Sequence, residues 1–91
     1  MVIKRAEIWR ASLAEPRGSE PGLRTPVVIV SSNHFNESNI NAVLAAVITS
    51  NLRLIDAPGN SLLPKKLSKL SKDSVINASQ IITLDKKAPL S

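Results

Sequence analysis

Between Gly18 and Ser31 the chain gathers two hydroxyls, a carboxylate and a guanidinium, from Ser19, Thr25, Glu20 and Arg24, around a turn built from Gly18, Pro21, Gly22 and Pro26. The apolar run Val27-Val28-Ile29-Val30 follows at once and reads as a buried strand. A loop in this setting holds side chains and backbone N–H groups in solvent, while the strand behind it fixes them to the precision that chemistry needs. One wall of any active site is therefore expected here. The residue types alone do not name a reaction.

Other chemistry-bearing residues are few. His34 is the single histidine, and with no second catalytic group near it in sequence an exposed, non-catalytic histidine is the better reading than a general acid or base. Lys65, Lys66, Lys69 and Lys72 fall within eight residues. They suit a phosphate-contacting patch, although a solvated edge that deters strand pairing is the commoner use of such lysines. With no cysteine and one histidine, neither a disulfide framework nor a protein-only metal centre is expected, and no cofactor is called for. The chain carries no Walker, GxGxxG, HExxH or nucleophile-elbow motif.

A domain of 91 residues buries only about 60–65% of the surface its unfolded chain exposes, so stabilisation by a second subunit is plausible. Charge appears too early, at Lys4-Arg5, for a signal peptide, and no apolar run approaches the roughly 20 residues of a membrane span. A cytoplasmic protein with no membrane partner is expected. Twelve Lys and Arg against seven Asp and Glu give a net charge of +5, with a pI near 10.1, which favours a polyanionic partner. Trp9 and Phe35 are the only aromatic residues, too few for the stacking platforms of RRM or OB-fold modules.

The elements that must position these residues are mostly strands. Ala6 to Leu13 reads as the first, with Trp9 on the more apolar of its two faces and Arg10 on the other. Residues 14 to 25 hold too many Gly and Pro for regular structure and form a loop. The strand from Pro26 to Ser31 is apolar at four successive positions, which places it inside the sheet. Residues 32 to 38 carry cap-forming side chains and suit one short helical turn. In Asn41 to Thr49 alanine and leucine favour helix, but Val47-Ile48-Thr49 and the polar exit tip the balance to strand. After a loop over residues 50 to 61 come a short Leu62-Leu63 strand, a lysine-rich helical turn or irregular hairpin arm, and one or two closing strands at Val75-Ile76 and Ile81 to Leu84. Five or more short strands around one small core suggest a partly closed barrel or a strongly twisted sheet.

Several blocks together resemble the MazF/PemK family of toxin endoribonucleases. They are Lys4-Arg5-Ala6-Glu7-Ile8-Trp9; Gly18-Ser19-Glu20-Pro21-Gly22 with Arg24-Thr25-Pro26-Val27-Val28-Ile29-Val30; Val47 to Leu54 with Ala57-Pro58-Gly59-Asn60; and Asp73-Ser74-Val75-Ile76-Asn77 with Ser79 to Lys86. They cover most of the chain in the family's order. The resemblance implies a mainly β (α+β) fold, an SH3-like partly closed barrel of the CcdB/Kid/MazF type with a short helical turn. It also implies a single toxin domain over residues 1–91, a homodimer, and a small acidic MazE-like antitoxin that neutralises the toxin and forms a DNA-binding complex with it. The implied activity is metal-independent cleavage of single-stranded RNA by attack of the ribose 2′-OH on the adjacent phosphorus. The alternative is a catalytically impaired relative that only binds RNA or antitoxin.

By the same resemblance Glu20, Arg24, Thr25 and Thr49 are the catalytic positions, and Ser19, Arg24, Ser50, Asn51 and Arg53 contact RNA. Thr49 matches the family's threonine after the third strand, and Glu20 its acidic loop residue. Two departures stand out. The family's pattern has an arginine immediately before the proline, where this chain has Thr25, with Arg24 one residue earlier; and the chain ends near the point where relatives begin a C-terminal helix. Ala6 stands where the family usually has glycine.

Overall fold

The computed structural model describes residues 2–11 and 25–86. Five strands, β1 (Ile8–Ala11), β2 (Thr25–Ile29), β3 (Ala42–Thr49), β4 (Ser61–Leu63) and β5 (Ser74–Asp85), form one antiparallel sheet in the order β1-β2-β3-β5-β4. The fold is mainly β, as expected. The sheet is open among the described residues, with β1 and β4 as its edges. The expected loop over residues 14 to 25 lies outside the described residues except for Thr25, which opens β2.

The two apolar runs become the inner strands. β3, bonded to β2 on one side and β5 on the other, is buried at Ala45, Ala46, Val47 and Ile48, so both of its faces are covered there. That explains strand in place of helix: an alanine-rich segment bordered by β-branched residues fits between two sheets' worth of neighbours, and both rows of backbone groups find partners. The core comprises Ile3, Ala11, Val27, Ile29, Val43, Ala45, Val47 and Leu84. Trp9 packs against it half-buried, and its Nε1 donates to Glu7 Oε1 at 3.3 Å. The more apolar face of this strand, which carries Trp9, is the one packed on the core.

Residues 33–37 form a short helix, α1 (Asn33–Glu37), capped by Ser32, whose Oγ accepts from Phe35 N at 3.2 Å. His34 is exposed on it. Beyond β4, Lys65–Ser68 make a single turn, α2, that ends at Lys69 in the left-handed region (φ 63°). Of the two readings of the lysine segment, the helical turn is the one adopted.

Two features go beyond the sequence reading. The loop after β3 contains a 3₁₀ helix, Leu52–Asp56, started by Asn51, whose Oδ1 accepts from Arg53 N at 3.2 Å. The closing strand is a single twelve-residue β5, interrupted where Ala46 pairs with Ile81 but Val47 pairs with Asn77, so residues 78–80 have no partner on β3. Side chains satisfy this bulge. Asn77 Oδ1 accepts from Ser79 N (3.3 Å) and Ser79 Oγ (2.7 Å), Asn77 Nδ2 donates to Gln80 Oε1 (2.8 Å), and Asn60 Oδ1 accepts from Ala78 N (2.8 Å). The bulge lets the first part of β5 serve β3 and β4 together, with Val75 paired to both Thr49 and Leu62.

Candidate functional site

The ladder between β2 and β3 is defined from Ile29↔Ala45 to Val27↔Val47. Even-numbered residues of β2 aim their N–H at β3, as Val30 N shows by donating to Leu44 O at 2.9 Å. Pro26 is next in that series and has no N–H, so the ladder stops. Beyond this point the strands no longer hold one another, and a cleft of about 420 Å³ opens beside Pro26, Ile48 and Thr49, bounded on its far side by residues 70–72 and Ser74. A proline that looks like mere loop punctuation in the sequence thus makes the opening.

Thr49 ends β3 half-buried at the cleft wall. Its Oγ1 accepts from Asn51 N at 3.2 Å. One lone pair is thereby committed to the backbone, and the hydroxyl proton remains to be donated. Ser50 lines the same cleft and is exposed. The β2–β3 register ends at Val27↔Val47; Thr25 lies two residues beyond it on the face shared by Val27 and Ile29, and is not a strand partner of Thr49. Thr25 itself does not line the cleft among the described residues; its neighbour Pro26 does. Asn51 and Arg53 are exposed on the 3₁₀ segment just outside. Ser19, Glu20 and Arg24 lie outside the described residues.

Two cations reach this cleft that were not counted as site residues. Arg10, paired with Pro26 across β1 and β2, lines it, and so does Lys72. Ser71 and Ser74 add two hydroxyls, and Ser74 Oγ donates to Lys72 O at 3.1 Å. No acidic residue lines the cleft among the described residues. The signal for Arg10 was in the sequence, since alternation puts it on the face away from Trp9, but only its pairing with Pro26 shows what that face looks onto.

A larger cavity, about 480 Å³, lies next to Ile8, Trp9 and Leu67. Among the described residues no cation lines it, and its Glu7 carboxylate already accepts from Lys4 N at 2.6 Å and from Trp9 Nε1. A polyanion fits the Thr49 cleft better. No group of three or more His, Cys, Asp or Glu side chains that could hold a metal ion occurs among the described residues.

Residues 4–90 match the family described as the PemK-like, MazF-like toxins of type II toxin–antitoxin systems. This chain belongs to that family. Among its relatives are the endoribonuclease MazF2 of Mycobacterium bovis and the endoribonuclease MazF6 of Mycobacterium tuberculosis, each 49% identical over 86 residues, which is 94% of this chain and 75% of the relative. As a PemK-like, MazF-like toxin, the chain has a mainly β domain whose cleft combines cations with hydroxyl donors. No helix among the described residues is long and apolar enough to cross a membrane.

Proposed function

We propose that the protein is a metal-independent endoribonuclease that cuts single-stranded RNA at short sequences, acting as the toxin of a type II toxin–antitoxin pair. The observation that carries the reading is the Thr49 hydroxyl: it is oriented by the Asn51 amide, keeps its proton, and stands in a cleft lined by cations and free of carboxylates among the described residues. The family match and the endoribonucleases among its relatives support the choice of substrate.

In the proposed reaction the ribose 2′-oxygen attacks the adjacent phosphorus, the P–O5′ bond breaks, and the products carry a 2′,3′-cyclic phosphate and a 5′-OH. The 2′-OH proton must go to a base, and the departing 5′-oxygen must receive one. Of the proposed catalytic residues Glu20, Arg24, Thr25 and Thr49, only the carboxylate accepts a proton at neutral pH. Thr49 donates its hydroxyl proton to a non-bridging oxygen as negative charge grows on it, a contribution larger in the transition state than in the ground state. Ser19, Ser50, Asn51, Arg24 and Arg53 contact the RNA on either side. A homodimer, a small acidic antitoxin and a cytoplasmic setting complete the proposal.

The test is Thr49→Ala, assayed in single turnover and by equilibrium binding. Cleavage should fall on the order of 10²-fold, as for loss of one oxyanion donor, with RNA affinity changed far less. Unchanged single-turnover rates would remove Thr49 from the mechanism. A second reading, an impaired toxin that binds RNA without cutting, is favoured by one observation: Thr25 carries no charge at the place where the family's pattern has arginine. Binding without cleavage by the wild-type protein would select it.

A further inference from the structure

We infer that Arg10 is an RNA-phosphate-binding residue of the Thr49 cleft and that Lys72, which lines the same cleft, supports it. The inference rests on the nuclease reading for its ligand and on the cleft for its residues. Arg10 is the strand partner of Pro26, the residue at which the β2–β3 ladder opens, so its side chain belongs to the face where the cleft forms. Lys72 enters from the segment between α2 and β5.

Charge alone would not single out these two in a chain of net charge +5; their surroundings do. The carboxylate nearest to Lys72 in sequence, Asp73, is engaged elsewhere, its Oδ1 accepting from Lys65 N at 2.9 Å at the start of α2. Glu7, the acid nearest to Arg10 in sequence among the described residues, accepts from Lys4 N and Trp9 Nε1 beside the other cavity. The cleft therefore presents two cations with the hydroxyls of Thr49, Ser50 and Ser71, and no lining acid among the described residues competes for them. Such a set recognises a phosphodiester. A guanidinium grips two non-bridging oxygens with its planar fork, an ammonium acts as a point charge on the same or the next phosphate, and hydroxyls donate to what is left.

The experiment measures binding of a random-sequence, single-stranded 2′-O-methyl oligonucleotide, which has no free 2′-OH and is not cut by the proposed chemistry, across a range of salt concentrations. Wild type, Arg10→Ala, Arg10→Lys and Lys72→Ala are compared, with thermal melting as the folding control. Arg10 and Lys72 are both exposed, so the melts should superimpose. The expected result for Arg10→Ala is an affinity loss of about tenfold and a log K against log salt slope shallower by about 0.7, the value for one lost phosphate contact on a single strand. Lys72→Ala should reduce the slope similarly, and Arg10→Lys should retain it. An unchanged affinity and slope in Arg10→Ala, or no binding by wild type, overturns the inference. Cleavage of the corresponding ribo-oligonucleotide is read in parallel and keeps the two claims apart. Arg10-dependent binding without any cleavage rejects the nuclease and leaves the phosphate site, whereas cleavage with Arg10-independent binding does the reverse.

Discussion

A threonine hydroxyl has one proton to give, and in Thr49 the backbone has already decided where its oxygen points. Accepting the Asn51 amide is what a strand-end threonine does for purely structural reasons. The same bond leaves the proton available in the cleft, so the structural and chemical roles coexist. Position 25 is the complementary case. Threonine there cannot supply the charge of a guanidinium, although it opens β2 next to Pro26, which lines the cleft. Thr25→Arg should therefore raise RNA cleavage at least about tenfold, roughly 1.4 kcal/mol of transition-state stabilisation, as measured by single-turnover rate; an unchanged rate would show that Arg10 or Arg24 already fills that role. Ala6 gives a stability prediction. It holds φ 73° just before β1, where its N–H donates to Ile29 O at 2.8 Å. A Cβ in this left-handed region costs about 1 kcal/mol, and glycine avoids that cost. Ala6→Gly should raise the melting temperature by a few degrees; a fall would mean that the added freedom of the unfolded chain outweighs the relief.

At the scale of elements, the strands were legible and their irregularities were not. Val27 to Ile29 and Ala45 to Ile48 announce inner strands because four successive apolar side chains need cover on both faces. Ser32 announced α1 through a local hydrogen bond between near neighbours. By contrast, Val75-Ile76 and Ile81 to Leu84 read as separable because Asn77 to Gln80 between them are polar, yet these are the residues that build the bulge within one strand. Their pairing to each other and to Asn60 is a tertiary fact. Asn77 is buried and holds three of those bonds. Asn77→Ala should cost on the order of 1 kcal/mol through loss of these bonds to the exposed Ser79 and Gln80, seen as a lower urea midpoint; a midpoint within error of wild type would show that water replaces the asparagine. The cleft was half legible. Thr49 and Ser50 came from the resemblance, while Arg10 and the opening at Pro26 required knowing which strand lies beside which.

For the whole molecule, the arithmetic of a small basic domain points outward. Val2, Ile40, Leu52, Leu62, Leu67 and Ile81 are each about half exposed or more, more apolar surface than 91 residues can cover alone. The proposed two-fold dimer removes part of it. Sedimentation at high micromolar concentration should give twice the chain mass of 9.8 kDa, and a single-chain mass there would contradict the proposal. On the proposed reading, the net charge of +5 favours approach of RNA to the cleft lined by Arg10, Lys72 and Thr49. The most direct measurement is to incubate the purified protein with a mixed single-stranded RNA pool in EDTA and map the new ends. Fragments ending in 2′,3′-cyclic phosphate and beginning with 5′-OH are expected. Intact RNA, or fragments with 3′-OH and 5′-phosphate ends that appear only when a divalent metal is added, would contradict it.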